Sequence, residues 1–144
     1  IRPSALYGPR CVNRRVSQIL IENIMENKPV KLFGGGKEKL DFTYVDDTVQ
    51  GFLKAGMMKE GENQTFNITY GEARPVSLLV DILRETFPNL EVEEHERDTF
   101  MPERGTLLIS KAKKLLNYNP LNALEQGYPK YIEWYLDRKH WISK

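Results

Sequence analysis

The sequence predicts an α/β fold with a partly parallel sheet, and three observations carry that prediction. Stretches rich in β-formers alternate with stretches whose apolar residues recur every three or four positions. Glycine and proline punctuate the junctions, as at Gly8-Pro9, Gly34-Gly35-Gly36, Gly71 and Pro88. Several β-rich stretches are separated by a helical one, which is the connection that a parallel pair requires.

Taken in order, Ile1 to Tyr7 reads as a short strand closed by the turn Tyr7-Gly8-Pro9-Arg10. Arg10, Arg14 and Arg15 cluster just beyond it. They suit an anion such as phosphate, because guanidinium meets phosphate oxygens in bidentate fashion; a solvated basic helix start accounts for them equally well. From Arg14 to Glu26 the apolar residues Val16, Ile19, Leu20 and Ile24 mark an amphipathic helix that stops near Asn27 and Pro29. Val30 to Phe33 alternates and reads as a strand.

The stretch Phe33 to Phe52 organises the rest. Three glycines supply a tight loop, Leu40 to Val45 reads as a second strand, and a helix follows with Val49, Phe52, Leu53 and Met57 at helical spacing. Asp46 or Asp47 is placed to cap that helix, which is expected to end near Lys59 to Gly61. Gln64 to Tyr70 is rich in β-formers and ends at Gly71. Ser77 is the expected cap of a helix carrying Leu78, Leu79, Ile82, Leu83 and Phe87, closed by Pro88. Leu90 to Glu94 alternates weakly, and His95 to Arg104 reads as a charged loop. Ser110 is expected to cap a short helix through Leu116, and Asn122 to Glu125 resembles a capping box. The last helix turns Tyr128, Tyr131, Ile132, Tyr135 and Leu136 toward the core. The whole chain, 1–144, is read as a single α/β unit.

Composition narrows the function. Forty per cent hydrophobic and 28% charged residues suit a globular protein with a real core. The 21 basic and 20 acidic residues leave a net charge of +1, which favours neither nucleic acid nor an anionic membrane surface. A single cysteine, Cys11, permits no internal disulfide and suits a reducing, cytoplasmic setting. No apolar run approaches the ~20 residues that span a bilayer. The start at Ile1, without Met and directly into a strand, leads us to expect an upstream segment. Gly34 to Gly36 is a poor dinucleotide fingerprint, because a charged strand follows it instead of a helix. Tyr135 and Lys139 match Tyr-x-x-x-Lys, a sound acid–base pair, but their place in the last helix beside Trp134 and Trp141 assigns Tyr135 to the core. His95 and His140 read as surface histidines.

Six stretches, in order, resemble the C-terminal half of an extended short-chain dehydrogenase/reductase of the NAD-dependent nucleotide-sugar epimerase/dehydratase group. They are IRPSALYGPR, ILIENIMENKPVKLFGGG, LDFTYVDDTVQGFLKA, TFNITYGEARPVSLLVDIL, RGTLLISKAKKLLNYNP and ALEQGYPKYIEWYL. The resemblance implies the substrate-binding part of an extended Rossmann-type fold, with the last strands of the nucleotide-binding sheet at Ile1–Leu6 and Gln64–Thr69. It implies that the NAD loop and the catalytic Tyr-x-x-x-Lys lie in an N-terminal half outside this chain, so this chain alone is expected to be inactive. Pro3 and Ser4 would then neighbour NAD, and a nucleotide sugar would be held by Arg104, with Arg97 as a second choice. Leu40 stands where the family often has arginine, so that phosphate contact is either absent or supplied by Lys39, Arg14 or Arg15. Leu108 stands where aspartate is usual. These two departures also admit a non-catalytic binding or scaffolding module of the same fold. The implied partners are a nucleotide sugar, the N-terminal half and a second copy in a homodimer.

Overall fold

The computed structural model describes residues 1–138, so Lys139, His140 and Trp141 lie outside the described residues. The chain runs β1 (Arg2–Pro3), β2 (Leu6–Tyr7), α1 (Val16–Met25), β3 (Val30–Phe33), β4 (Lys39–Leu40), β5 (Thr43–Tyr44) and α2 (Val45–Met57). It continues with β6 (Asn67–Ile68), β7 (Arg74–Pro75), α3 (Ser77–Thr86), β8 (Val92–His95), α4 (Ser110–Leu116) and α5 (Leu124–Asp137).

The strands form four two-stranded pairs. β1 with β6, β2 with β5, and β3 with β8 are parallel, and β4 with β7 is antiparallel. The parallel character expected from the helical connections is present. The expected first strand is divided, because Ala5 takes a left-handed φ of 37° and sends β1 and β2 to different partners. The second expected strand also divides, into β4 and β5, which pair with β7 and β2.

Most of the core is one cluster, in which α1, α3 and α5 enclose β2, β3 and β5 through Leu20, Ile21, Val30, Leu83 and the tyrosines Tyr7, Tyr128 and Tyr131. Burial of such side chains contributes about 1.5–3 kcal/mol each. A second cluster, Phe66, Ile68, Ile109, Leu116 and Tyr118, joins β6 to α4. The helix α5 buries Tyr128, Tyr131, Ile132 and Tyr135 as its periodicity predicts, while Leu136 stays exposed.

Helix α2 forms where its apolar spacing puts it, but it turns those apolar residues away from the core. Val49, Phe52, Leu53 and Met57 face outward, and Met57 is 82% exposed. The helix meets the rest of the fold through small residues: Gly51 lies against Ile68, with Thr48 buried and Ala55 packed on the second cluster. Small side chains let the backbones approach closely, so the large ones point away.

The expected caps are also corrected. Helices α2, α3, α4 and α5 start after Tyr44, Val76, Ile109 and Ala123, and none of these flanking residues makes a side-chain capping bond. Asp47 instead accepts hydrogen bonds from Leu121 N (2.8 Å), Asn122 N (2.9 Å) and Asn122 Nδ2 (3.1 Å). Its carboxylate is committed to a distant loop, so it does not serve its own helix end.

Candidate functional site

The site begins with the alternation of β3. Val30 and Leu32 are buried, and the period of two puts Lys31 and Phe33 on the opposite face. The chain then turns through Gly34, Gly35 and Gly36, with φ of 57°, 64° and 63°. At Gly36 a Cβ would stand 2.7 Å from the Ser77 amide nitrogen, so only glycine lets β3 turn under the start of α3. At Gly34 a Cβ would stand 2.9 Å from Arg97 Cβ, which seats the 97–104 segment on the glycine turn.

These elements border a cleft of about 520 Å³. Arg14, Arg15, Lys31 and Arg104 supply cations, and Glu38 and Asp98 supply carboxylates. Leu40, Phe42, Val76 and Met101 provide apolar wall. A second hollow of about 440 Å³ shares Glu38 and Arg104 and adds Lys37, Lys39, Arg97 and Glu103. The expected residues are therefore partly brought together. Ser4, Arg14, Arg15 and Arg104 line the first cleft, and Lys39 and Arg97 line the second hollow. Pro3 and Arg10 line neither.

The cations are differently engaged. Arg14 Nε pairs with Glu22 Oε2 at 3.1 Å, and Glu22 also accepts from Gln18 and from the Tyr135 hydroxyl. Arg97 donates to the Met101 carbonyl at 3.1 Å. Arg104 Nε lies 3.6 Å from Glu38 Oε1, a buried oxygen that no hydrogen bond satisfies. Desolvating a carboxylate oxygen without a partner is costly, so this pair is a weak hold on Arg104.

Lys31, Phe33 and Glu38 are residues that sequence reasoning missed. The alternation of β3 was the available signal for the first two. Phe33 is 54% exposed and stacks on His95, with centroids 5.0 Å apart and planes at 24°. His95 is partly exposed and is flanked by Phe33 and by Glu93 Oε1, 3.1 Å from its Nε2. Tyr135 is buried, and burial pushes its phenol up to about 12. Among the described residues no group of three His, Cys, Asp or Glu could hold a metal ion, and no helix is long and apolar enough to cross a membrane.

The family model described as "NAD dependent epimerase/dehydratase family" matches residues 1–69. A UDP-glucuronate 4-epimerase from Thermodesulfobacterium geofontis is 31% identical over 93% of this chain and 42% of its own length. An epimerase structure from Methanothermobacter thermautotrophicus superposes with a TM-score of 0.90 at 26% identity, over 98% of this chain and 44% of that one. A UDP-glucose 4-epimerase from Thermotoga maritima, solved with UDP-glucose, gives 0.86 at 30% identity over 96% and 45%. The chain thus spans 38% to 43% of the length of the first curated relatives it matches.

Proposed function

Since the chain belongs to the NAD-dependent epimerase/dehydratase family of extended short-chain dehydrogenase/reductases, we propose that it is the nucleotide-sugar-binding portion of a sugar-nucleotide epimerase or 4,6-dehydratase. The observation that carries the reading is the cleft, where four cations stand against two carboxylates beside an apolar wall. A nucleotide sugar brings two phosphate charges, a planar base and a hydroxylated ring. Arg15 and Arg104 suit the phosphates, because a guanidinium fork pairs with phosphate oxygens. The exposed Phe33 ring offers a flat face to a base. Lys39 and Arg97 extend the cationic rim, with Arg10 beyond it.

The described residues do not form a cradle for NAD. Gly34 to Gly36 leads into β4, whereas a dinucleotide diphosphate sits where a glycine turn opens a helix N-terminus. No chemical step is assigned to NAD within this chain. On this reading a further N-terminal half holds the cofactor, Pro3 and Ser4 neighbour it, and NAD supplies the hydride acceptor. The role of this chain is to bind and orient the sugar nucleotide, which on its own does not turn it over. A cytoplasmic homodimer is the proposed setting.

Two further features support a larger assembly. Among the described residues β1 pairs only with β6, leaving an open strand edge, and the outward face of α2 is apolar. The test is thermal unfolding with UDP-, GDP-, dTDP- and CDP-sugars, with NAD as control. A ligand that binds only the folded state raises its stability, by about 2.7 kcal/mol at a hundred times Kd. One nucleotide sugar raising Tm, with the rise lost in Arg104→Ala, is the expected result. No rise with any of them in the complete protein overturns the proposal.

A further inference from the structure

Arg104 opens an arm, 104–109, that has no regular secondary structure. Burial does little to place it: Gly105 and Thr106 are exposed, Leu108 is 77% exposed, and only Ile109 enters the core. Hydrogen bonds hold it instead. Thr106 Oγ1 accepts from Ala73 N at 2.9 Å, and the Leu108 carbonyl accepts from Asn67 Nδ2 at 2.9 Å. Between them, Leu107 N donates to Asp41 Oδ2 at 3.0 Å.

Asp41 is wholly buried, and its carboxylate has no cationic partner among the described residues. It accepts two further bonds, from Thr69 Oγ1 at 2.9 Å and from Gly71 N at 3.0 Å. A carboxylate removed from water is tolerated only when its lone pairs are met, and here three donors from two distant segments meet them. Its neighbours Leu40 and Phe42 both line the cleft. One buried charge thus joins the cleft wall, the end of β6 and the arm that begins at Arg104.

We propose that Asp41 is a positioning residue of the cleft: through the Leu107 amide it fixes the arm that carries Arg104, and so sets the affinity for an anionic ligand. The inference rests on the nucleotide-sugar reading above. Asp47 provides an internal control. It is buried to a similar degree and accepts three hydrogen bonds from Leu121 and Asn122, but that loop contributes nothing to the cleft.

The experiment compares Asp41→Asn and Asp47→Asn in the complete protein. It measures Tm, the Kd of UDP and of inorganic pyrophosphate by calorimetry, and amide exchange at Leu107. Both variants are expected to lower Tm. Only Asp41→Asn is expected to weaken UDP and pyrophosphate binding, by roughly tenfold, with faster exchange at Leu107. Equal weakening in both variants, or unchanged Kd in Asp41→Asn, leaves Asp41 a purely structural residue and overturns the proposal. Should Asp41→Asn fail to fold, exchange in the wild type decides: Leu107 must exchange more slowly than Gly105, and equal rates overturn the proposal. A wild type that binds neither ligand overturns the nucleotide reading and this inference with it.

Discussion

At the scale of single residues, two features shape the site: glycines that admit a close approach, and a buried aspartate, Asp41, that ties distant segments. Gly36 illustrates the first. Its φ of 63° strains any side chain, and a Cβ there would also meet the Ser77 nitrogen at 2.7 Å. Gly35 has nearly the same φ, 64°, but its nearest neighbour would be Lys37 Cε at 3.8 Å. Gly36→Ala is expected to lower the free energy of urea unfolding by about 1–3 kcal/mol more than Gly35→Ala, since the latter carries backbone strain alone. Equal losses would show that only φ matters there. Tyr128 gives a second residue-scale prediction. Its hydroxyl donates to the Ser17 carbonyl at 2.7 Å, deep in the core. Tyr128→Phe removes that bond, while the Ser17 carbonyl keeps its place in the α1 ladder, and is expected to cost about 0.5–1.5 kcal/mol in the same assay.

At the scale of elements, what was legible in the sequence followed periodicity. The helix α1, the strand β3 and the inner face of α5 appear where apolar spacing put them, because burial enforces those patterns. The caps were not legible. Asp47 is an acceptable cap by type, and only the tertiary fold brings Leu121 and Asn122 within its reach. The cleft was half legible for the same reason: Arg14, Arg15 and Arg104 stand out as cations, but a partner such as Glu38 is chosen by folding. Arg74 shows a tie between elements that titrates. It bonds Glu72 and Glu125, joining β7 to the first turn of α5. Burial is the largest single influence on the Glu125 pKa and works to raise it, but the Arg74 hydrogen bond, a backbone hydrogen bond and the Arg74 charge together outweigh it, leaving Glu125 below its ordinary 4.5. A lowered carboxylate pKa adds stability that is present above 4.5 and is lost as pH falls through the folded value. Glu125→Gln is therefore expected to reduce Tm at pH 7 slightly and to narrow the gap to wild type as pH falls below 4.5. A gap that stays constant with pH would assign the effect to packing.

At the scale of the whole molecule, the core is unusually phenolic, and that has a consequence for alkaline stability. Tyr7, Tyr118, Tyr128, Tyr131 and Tyr135 all have pKa values pushed above the ordinary 10.0, in each case chiefly by burial. The unfolded chain ionises these phenols from pH 10 upward, while the folded chain resists until about 12 at Tyr135 and higher at the other four. The stability they contribute is thus complete below pH 10 and is withdrawn as pH rises toward the folded values. Each such group costs about 1.4 kcal/mol per pH unit in that window, so five together remove up to about 7 kcal/mol per unit. Two such units remove up to about 14 kcal/mol, which matches or exceeds nearly the whole stability of about 5–15 kcal/mol that is usual for a domain. We expect one cooperative transition above pH 10 in which tyrosinate absorbance and loss of helical circular dichroism coincide. If the main tyrosinate signal instead grows gradually while the helical signal persists, the phenols ionise inside the folded protein, and the tyrosine core is looser than its packing implies.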